Sequence, residues 1–272
     1  MTIESGVLTV NGARLAYDLA GDGPAVVLIH AGIADRRMWD DQFPAFAERF
    51  RVLRYDQRGF GDSDMPAGPF ALHEDLRDLM HQVGMERAAL AGVSMGGEVA
   101  LNTALAYPGI VAALVVGATL AGSAERSNLL RQAWAETDEA LEAGDLDRAV
   151  EVELRTWVDG PNRSPGDVDA AVRERVRVMD RALLAREMAG SEGEAVDFDP
   201  PAHERLGEIQ KPTLLIIGDQ DMPDVVESMG RLSSGIADAT FVTLAGAAHM
   251  LSMEQPARFN TTVIDFLTKA TS

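Results

Sequence analysis

The chain has 272 residues, 46% of them hydrophobic and 25% charged, the balance of an ordinary soluble globular protein long enough to bury a substantial core. Its formal net charge of -19 repels phosphates and anionic lipid, so neither nucleic acid nor a membrane surface is an expected partner. It contains no cysteine, which excludes disulfides and thiolate metal sites.

Residues 7–10 and 14–19 read as two short strands joined at Asn11-Gly12, a strong hairpin signal. The run 25–30 is continuously apolar up to His30, as suits a strand buried on both faces. A helix is expected over 38–50 and a strand over 51–55. A charged, glycine-rich loop, 56–63, leads to a helix over 71–83 with Leu72, Leu76, Leu79 and Met80 at helical spacing. The apolar run 88–93 then turns into a helical pattern that begins at Met95, and 112–116 is a further strand. Strands alternating with helices imply right-handed crossovers and a mostly parallel sheet.

From about residue 124 to 188 the alternation stops, and successive helices follow without a strand between them. Gly144-Asp145 marks one boundary, as the end of one helix and the cap of the next. Alternation resumes with strands at 212–218 and 240–244 and helices at 224–232 and 255–267. The expected fold is therefore α/β: a mostly parallel, eight-stranded, doubly wound sheet with an N-terminal antiparallel hairpin. Residues 1–120 and 206–272 form its core, and 121–205 form an inserted block of helices packed over the sheet.

The turn at 91–97 reads G-x-S-x-G, with Gly92, Ser94 and Gly96 where a strand becomes a helix. Such a turn lifts the Ser94 hydroxyl clear of the backbone, at the helix end whose free N–H groups favour developing negative charge. A serine hydroxyl still needs a base and an acid to orient that base. Loops at the carboxyl ends of parallel strands converge on one crevice. His249 follows the last strand and Asp221 the one before it, giving the chain order Ser94, Asp221, His249. His30 is a rival base, better suited to bracing its own loop, while Asp219 and Asp224 are rival acids. His73, His81 and His203 read as surface residues, and Asp56 with Arg58 as pins for their loop. No spacing suits a metal site, and no glycine pattern suits a phosphate or dinucleotide. No cofactor is expected.

At this point the chain resembles the α/β-hydrolase superfamily over nearly its whole length. His30-Ala31-Gly32 is similar to its H-G-x oxyanion segment, with Ala31 in the usual glycine place. Residues 56–63 are similar to its D-x-R-G-x-G-x-S loop, and 92–96 match its serine elbow. Gly218-Asp219-Gln220-Asp221 resembles its acid loop, and His249 with Glu254 and Pro256 its C-terminal signature. The texture is nearest small bacterial esterases and enol-lactone hydrolases, and the helical block resembles their cap domain. The resemblance implies Ser94 as nucleophile, His249 as general base and acid, and Asp221 as its orienting partner. It implies the backbone N–H groups of Gly32 and Met95 as the oxyanion hole.

The activity expected on this basis is hydrolysis of a small carboxylic ester or lactone through an acyl-enzyme. Carbon–carbon bond hydrolysis or a lyase reaction on the same triad, and a non-catalytic small-molecule-binding role, are the alternatives. Trp39, Trp157, Met222 and Met250 are candidate substrate-binding residues by their proximity to the motifs. Arg36 and Arg37, near the oxyanion segment, could meet a substrate carboxylate or simply face solvent. The first ten residues lack a basic stretch followed by an apolar core, and no run is long enough to span a membrane. The cytoplasm is the expected compartment, and a homodimer is compatible with the reading.

Overall fold

In a computed structural model, the structure describes residues 2–190 and 193–271. The outermost ends of the expected core, Met1 and Ser272, and two positions of the expected helical block, Ser191 and Glu192, lie outside them. In chain order the strands are β1 (Ile3–Val10), β2 (Ala13–Ala20), β3 (Ala25–Ile29), β4 (Arg51–Tyr55), β5 (Gly68–Phe70), β6 (Ala88–Val93), β7 (Val111–Gly117), β8 (Gly193–Ala195), β9 (Thr213–Gly218) and β10 (Ala239–Leu244). The α-helices are α1 (Phe43–Ala47), α2 (Leu72–Gln82), α3 (Met95–Ala106), α4 (Asn128–Glu142), α5 (Leu146–Glu153), α6 (Ala170–Met188), α7 (Pro223–Gly235), α8 (Leu251–Glu254) and α9 (Pro256–Ala270).

Eight strands form one sheet in the order β1-β2-β4-β3-β6-β7-β9-β10. β1 pairs antiparallel with β2, and β2 with β4; every other neighbour is parallel. Burial follows position in this order. The interior strands β6 and β9 are buried at every residue, whereas the edge strands β1 and β10 leave half or more of theirs exposed. Continuous apolar runs and mixed runs in the sequence thus mark sheet centre and sheet edge. Asn11, with φ 46, and Gly12, with φ 82, make the tight turn of the first hairpin.

Two local expectations need correction. The single helix expected over 38–50 is a 3-10 turn, Arg36–Trp39, followed by the short α1. Pro44 lies in the first turn of α1, where its missing N–H is harmless, so it starts a helix there rather than continuing one. The short strands β5 and β8 form a separate parallel pair that no periodicity announced, because three residues are too few to show one.

Helices α4, α5 and α6 stand between β7 and β9 in the chain. Asp145 caps α5 by accepting from the Arg148 N–H, the boundary that Gly144-Asp145 marked. A π-helical turn, Leu154–Asp159, continues α5 and ends at Gly160, with φ 75. The apolar faces of these helices, including Leu130, Val150, Leu154 and Val176, join the same buried cluster as the sheet. No helix among the described residues is long and apolar enough to cross a membrane.

Candidate active site

The strand-to-helix turn between β6 and α3 is held by close backbone contact. A Cβ on Gly92 would lie 2.1 Å from the Gly96 carbonyl oxygen, and one on Gly96 would lie 2.2 Å from that of Ile29. Only glycine permits this approach of helix to strands. Between the two glycines Ser94 adopts φ 57, ψ -121, a conformation that costs an L-residue energy and is held here by its surroundings. The Ser94 N–H donates to the Gly117 carbonyl at 2.8 Å, tying the turn to β7.

Ser94 lines a cavity of about 270 Å³ together with Gly32, Met95, Trp157 and His249. The loops after β9 and β10 bring Asp221 and His249 together. His249 Nδ1 lies 3.0 Å from Asp221 Oδ2 and 3.1 Å from Oδ1, with the imidazole and carboxylate both nearly fully buried. Asp221 Oδ1 also accepts the Met222 N–H at 2.7 Å. A carboxylate on Nδ1 fixes the tautomer, leaving Nε2 without a proton and able to accept one. The ring of Trp157, on the π-helical turn, packs at 4.5 Å from that of His249. Of the three residues expected to act together, Asp221 and His249 are in direct contact, and Ser94 lines the same cavity as His249.

The rival residues are engaged elsewhere. His30 is fully buried; its Nε2 accepts the Gln57 N–H at 2.9 Å and its Nδ1 meets the Ala31 carbonyl at 2.8 Å. Burial holds this imidazole below its usual pKa, so it braces the loop as a neutral group. Asp219 accepts the Gly246 N–H at 2.7 Å, fastening one loop to the next. Asp224 accepts from the Ser127 N–H and hydroxyl, fastening α7 to the start of α4.

Gly32 follows His30 and Ala31 at the cavity wall, where a Cβ added to it would lie 3.8 Å from the Met95 side chain. Met95 is the first residue of α3, so its N–H has no acceptor within the helix. Glu254 accepts the Ala248 N–H at 2.8 Å and pairs with Arg163 at 2.7 Å. Arg163 also donates to the carbonyls of Val158, Asp159 and Gly246. One guanidinium thus joins the end of the π-helical turn to the loop that carries His249.

Three of the four candidate substrate-binding residues need correction. Trp39 is fully buried, with its ring centroid 6.0 Å from that of Phe259, so it belongs to the core. Met250 is likewise fully buried at the start of α8. Met222 is buried at 2% exposure and borders a different hollow, beside Leu129 and Arg163. Proximity in sequence to a loop residue does not place a long apolar side chain on the cavity side. Arg36 is committed to Asp18, Asp56 and Asp62, and Arg37 to Asp35, so neither awaits a substrate carboxylate. Asp56 and Arg58 do pin their loop, Arg58 through a buried pair with Asp75 at 2.8 Å.

The sequence matches the alpha/beta hydrolase fold family over residues 24–256. The chain belongs to that family. As an alpha/beta hydrolase it is 26% identical to 3-oxoadipate enol-lactonase 2 of Acinetobacter baylyi, over 93% of this chain and 92% of that protein. An uncharacterized protein of Mycobacterium tuberculosis is 38% identical over 112 residues, 40% of this chain, and the match spans only 33% of that relative. Among solved structures, the enol-lactonase of Burkholderia xenovorans LB400 superimposes with TM-score 0.79 at 26% identity, covering 97% of this chain and 100% of that one. A hydrolase of Pseudomonas aeruginosa PA01 does so with TM-score 0.77 at 32% identity, covering 97% and 98%.

Sequence reasoning missed several residues of this alpha/beta hydrolase's cavity. Ile33, Glu98, Arg126 and Trp134 all line it. Trp134 is a large aromatic left 37% exposed on α4, a feature that only the folded structure displays. Glu98 lies one helical turn beyond Ser94, and burial of its carboxyl raises its pKa.

Proposed function

We propose that this alpha/beta hydrolase is a serine hydrolase that cleaves a small carboxylic ester or lactone through an acyl-enzyme, acting in the cytoplasm. The observation that carries the reading is the Ser94 turn, at φ 57, facing the same cavity as an imidazole whose Nδ1 rests 3.0 Å from a buried carboxylate. Ser94 Oγ attacks the carbonyl carbon while His249 Nε2 takes its proton. Asp221 keeps the imidazole in the required tautomer and stabilises the imidazolium. The N–H groups of Met95 and Gly32 receive the oxyanion as the carbonyl carbon becomes tetrahedral. Collapse breaks the bond to the leaving oxygen, which takes the proton from His249. Water, activated by the same imidazole, then attacks the acyl-serine and releases the acid.

The helical block acts in this reading as a cap, and α4 through Trp134 and the π-helical turn through Trp157 supply the cavity's far wall. The enol-lactonase names among the relatives agree with an acyl-transfer site. They leave the acyl and alcohol groups to be identified by this chain's own cavity. The test is p-nitrophenyl esters of graded acyl length, with wild type and Ser94→Ala. Wild type should release nitrophenol from short chains, and the variant should lose about 10⁴-fold or more in kcat. A fluorophosphonate should label wild type at Ser94 alone. Absence of both turnover and labelling would refute the reading.

A further inference from the structure

Next to the Ser94 cavity, and sharing Gly32, Ile33 and Trp134 with it, is a second hollow of about 400 Å³ beneath the helices. Four carboxylates line it: Asp138 on α4, Glu153 at the end of α5, and Asp180 and Glu187 on α6. No basic side chain is among its described lining residues. Elsewhere this protein pairs its buried acids: Asp56 with Arg36, Asp75 with Arg58, Asp159 with Arg173, Glu254 with Arg163. Asp180 is the contrast. It is 1% exposed, and neither carboxylate oxygen has a hydrogen-bond partner among the described residues.

We propose that this hollow receives a cationic ammonium group carried by the substrate, so that the ester or lactone taken by the Ser94 site bears a basic substituent. The assignment rests on the serine-hydrolase reading only in making the ligand a substrate; the cation site stands on its own residues. An unpaired buried carboxylate is costly unless something satisfies it or it stays protonated. An ammonium offers up to three donors and a positive charge, meeting both needs at once. A metal ion fits less well, because among the described residues no group of three His, Cys, Asp or Glu side chains is arranged to hold one. The hollow adjoins the nucleophile, so an ester whose acyl or alcohol chain ends in an amine could span the two cavities. Burial together with Glu153 and Glu187 raises the pKa of Asp180 to about 8, so at neutral pH a bound cation should displace its proton.

Calorimetry at pH 7 with hexylammonium, and with 1-hexanol as the neutral control, tests this without any need for turnover. Repeating the titration in buffers of different ionisation enthalpy counts the protons released. The expected result is saturable binding of the amine, at least tenfold tighter than the alcohol, with proton release. Asp180→Asn should weaken it about tenfold and remove the release, and Glu187→Gln should weaken it less. In parallel, kcat/KM for p-nitrophenyl 6-aminohexanoate should exceed that for the heptanoate by about tenfold, and Asp180→Asn should shrink the ratio. Equal affinity for amine and alcohol, no saturable binding, or binding that Asp180→Asn leaves unchanged would each overturn the site. Failure of fluorophosphonate labelling, by contrast, would remove the hydrolase reading and leave the calorimetric result standing.

Discussion

The sheet rim and the helical cover meet in one cleft, yet they treat polar groups in opposite ways. On the rim nearly every buried polar side chain has a fixed partner: His30 with Gln57, Asp56 with Arg36, Asp221 with His249, Glu254 with Arg163. Beneath the helices Asp180 has none, and Glu153, Asp180 and Glu187 are all raised in pKa chiefly by burial. A network of paired groups holds atoms in place and leaves little electrostatic potential for a ligand. A cluster of carboxylates with no cation among its described lining residues, Asp180 without a partner and Glu153 held by the Thr137 hydroxyl at 2.9 Å, does the reverse. On the proposed mechanism the rim positions the reacting atom, and on the proposed cation site the cover selects what is attached to it.

The largest expected effect that sharpens this contrast lies on the rim. Asp221→Asn keeps the size of the side chain but presents an amide that can donate to Nδ1, which favours the wrong imidazole tautomer. On the proposed mechanism kcat should fall about 10⁴-fold, while the thermal midpoint moves little. A loss of kcat below tenfold, measured on the best p-nitrophenyl ester, would mean that the paired rim is structural only. The next effect lies where rim and cover are joined. Arg163→Ala leaves the largely buried Glu254 carboxylate without its ion pair and frees the carbonyls of Val158, Asp159 and Gly246. Urea denaturation should register a loss of about 2–3 kcal/mol. Loosening of the His249 loop should lower kcat about tenfold as well. Lost stability with unchanged kcat would show that the join fixes the fold without positioning the imidazole.

What the sequence made legible divides along the same line. The rim is built by short local rules. Gly92 and Gly96 must be glycine because a Cβ would strike backbone 2.1–2.2 Å away, and their spacing around Ser94 is visible in the letters. The continuous apolar runs at β3, β6 and β9 likewise announce buried parallel strands. The cover is built by tertiary contact. Nothing local distinguishes Asp180 from the solvated acids of the same helices, since its partnerless burial depends on how α4, α5 and α6 pack. Trp39 and Met250 misled for a related reason: aromatic and thioether side chains beside a motif turn as readily into the core as into the cleft. Arg163 lies in the loop after the π-helical turn, 86 positions before His249, and no spacing rule links the two.

The smallest effect tests the cover with the cleft empty. Asp180 faces Glu153 from the end of α5 and Glu187 from its own helix, with Asp138 of α4 lining the same hollow. In the folded chain it keeps its proton up to about pH 8, whereas in the unfolded chain it ionises near the ordinary carboxylate value of about 4. Between those values the unfolded state binds fewer protons than the folded state, so this group lowers stability as pH rises. Its stabilising contribution is complete below about pH 4 and is lost by about pH 8. Asparagine cannot ionise and escapes that loss. Asp180→Asn should therefore match wild type near pH 4 in urea denaturation and exceed it by about 1–2 kcal/mol at pH 8, the remainder being relieved by water entering the hollow. A difference independent of pH would place the Asp180 proton elsewhere. A difference of opposite sign would require a cation already paired with it, and the cover would then resemble the rim.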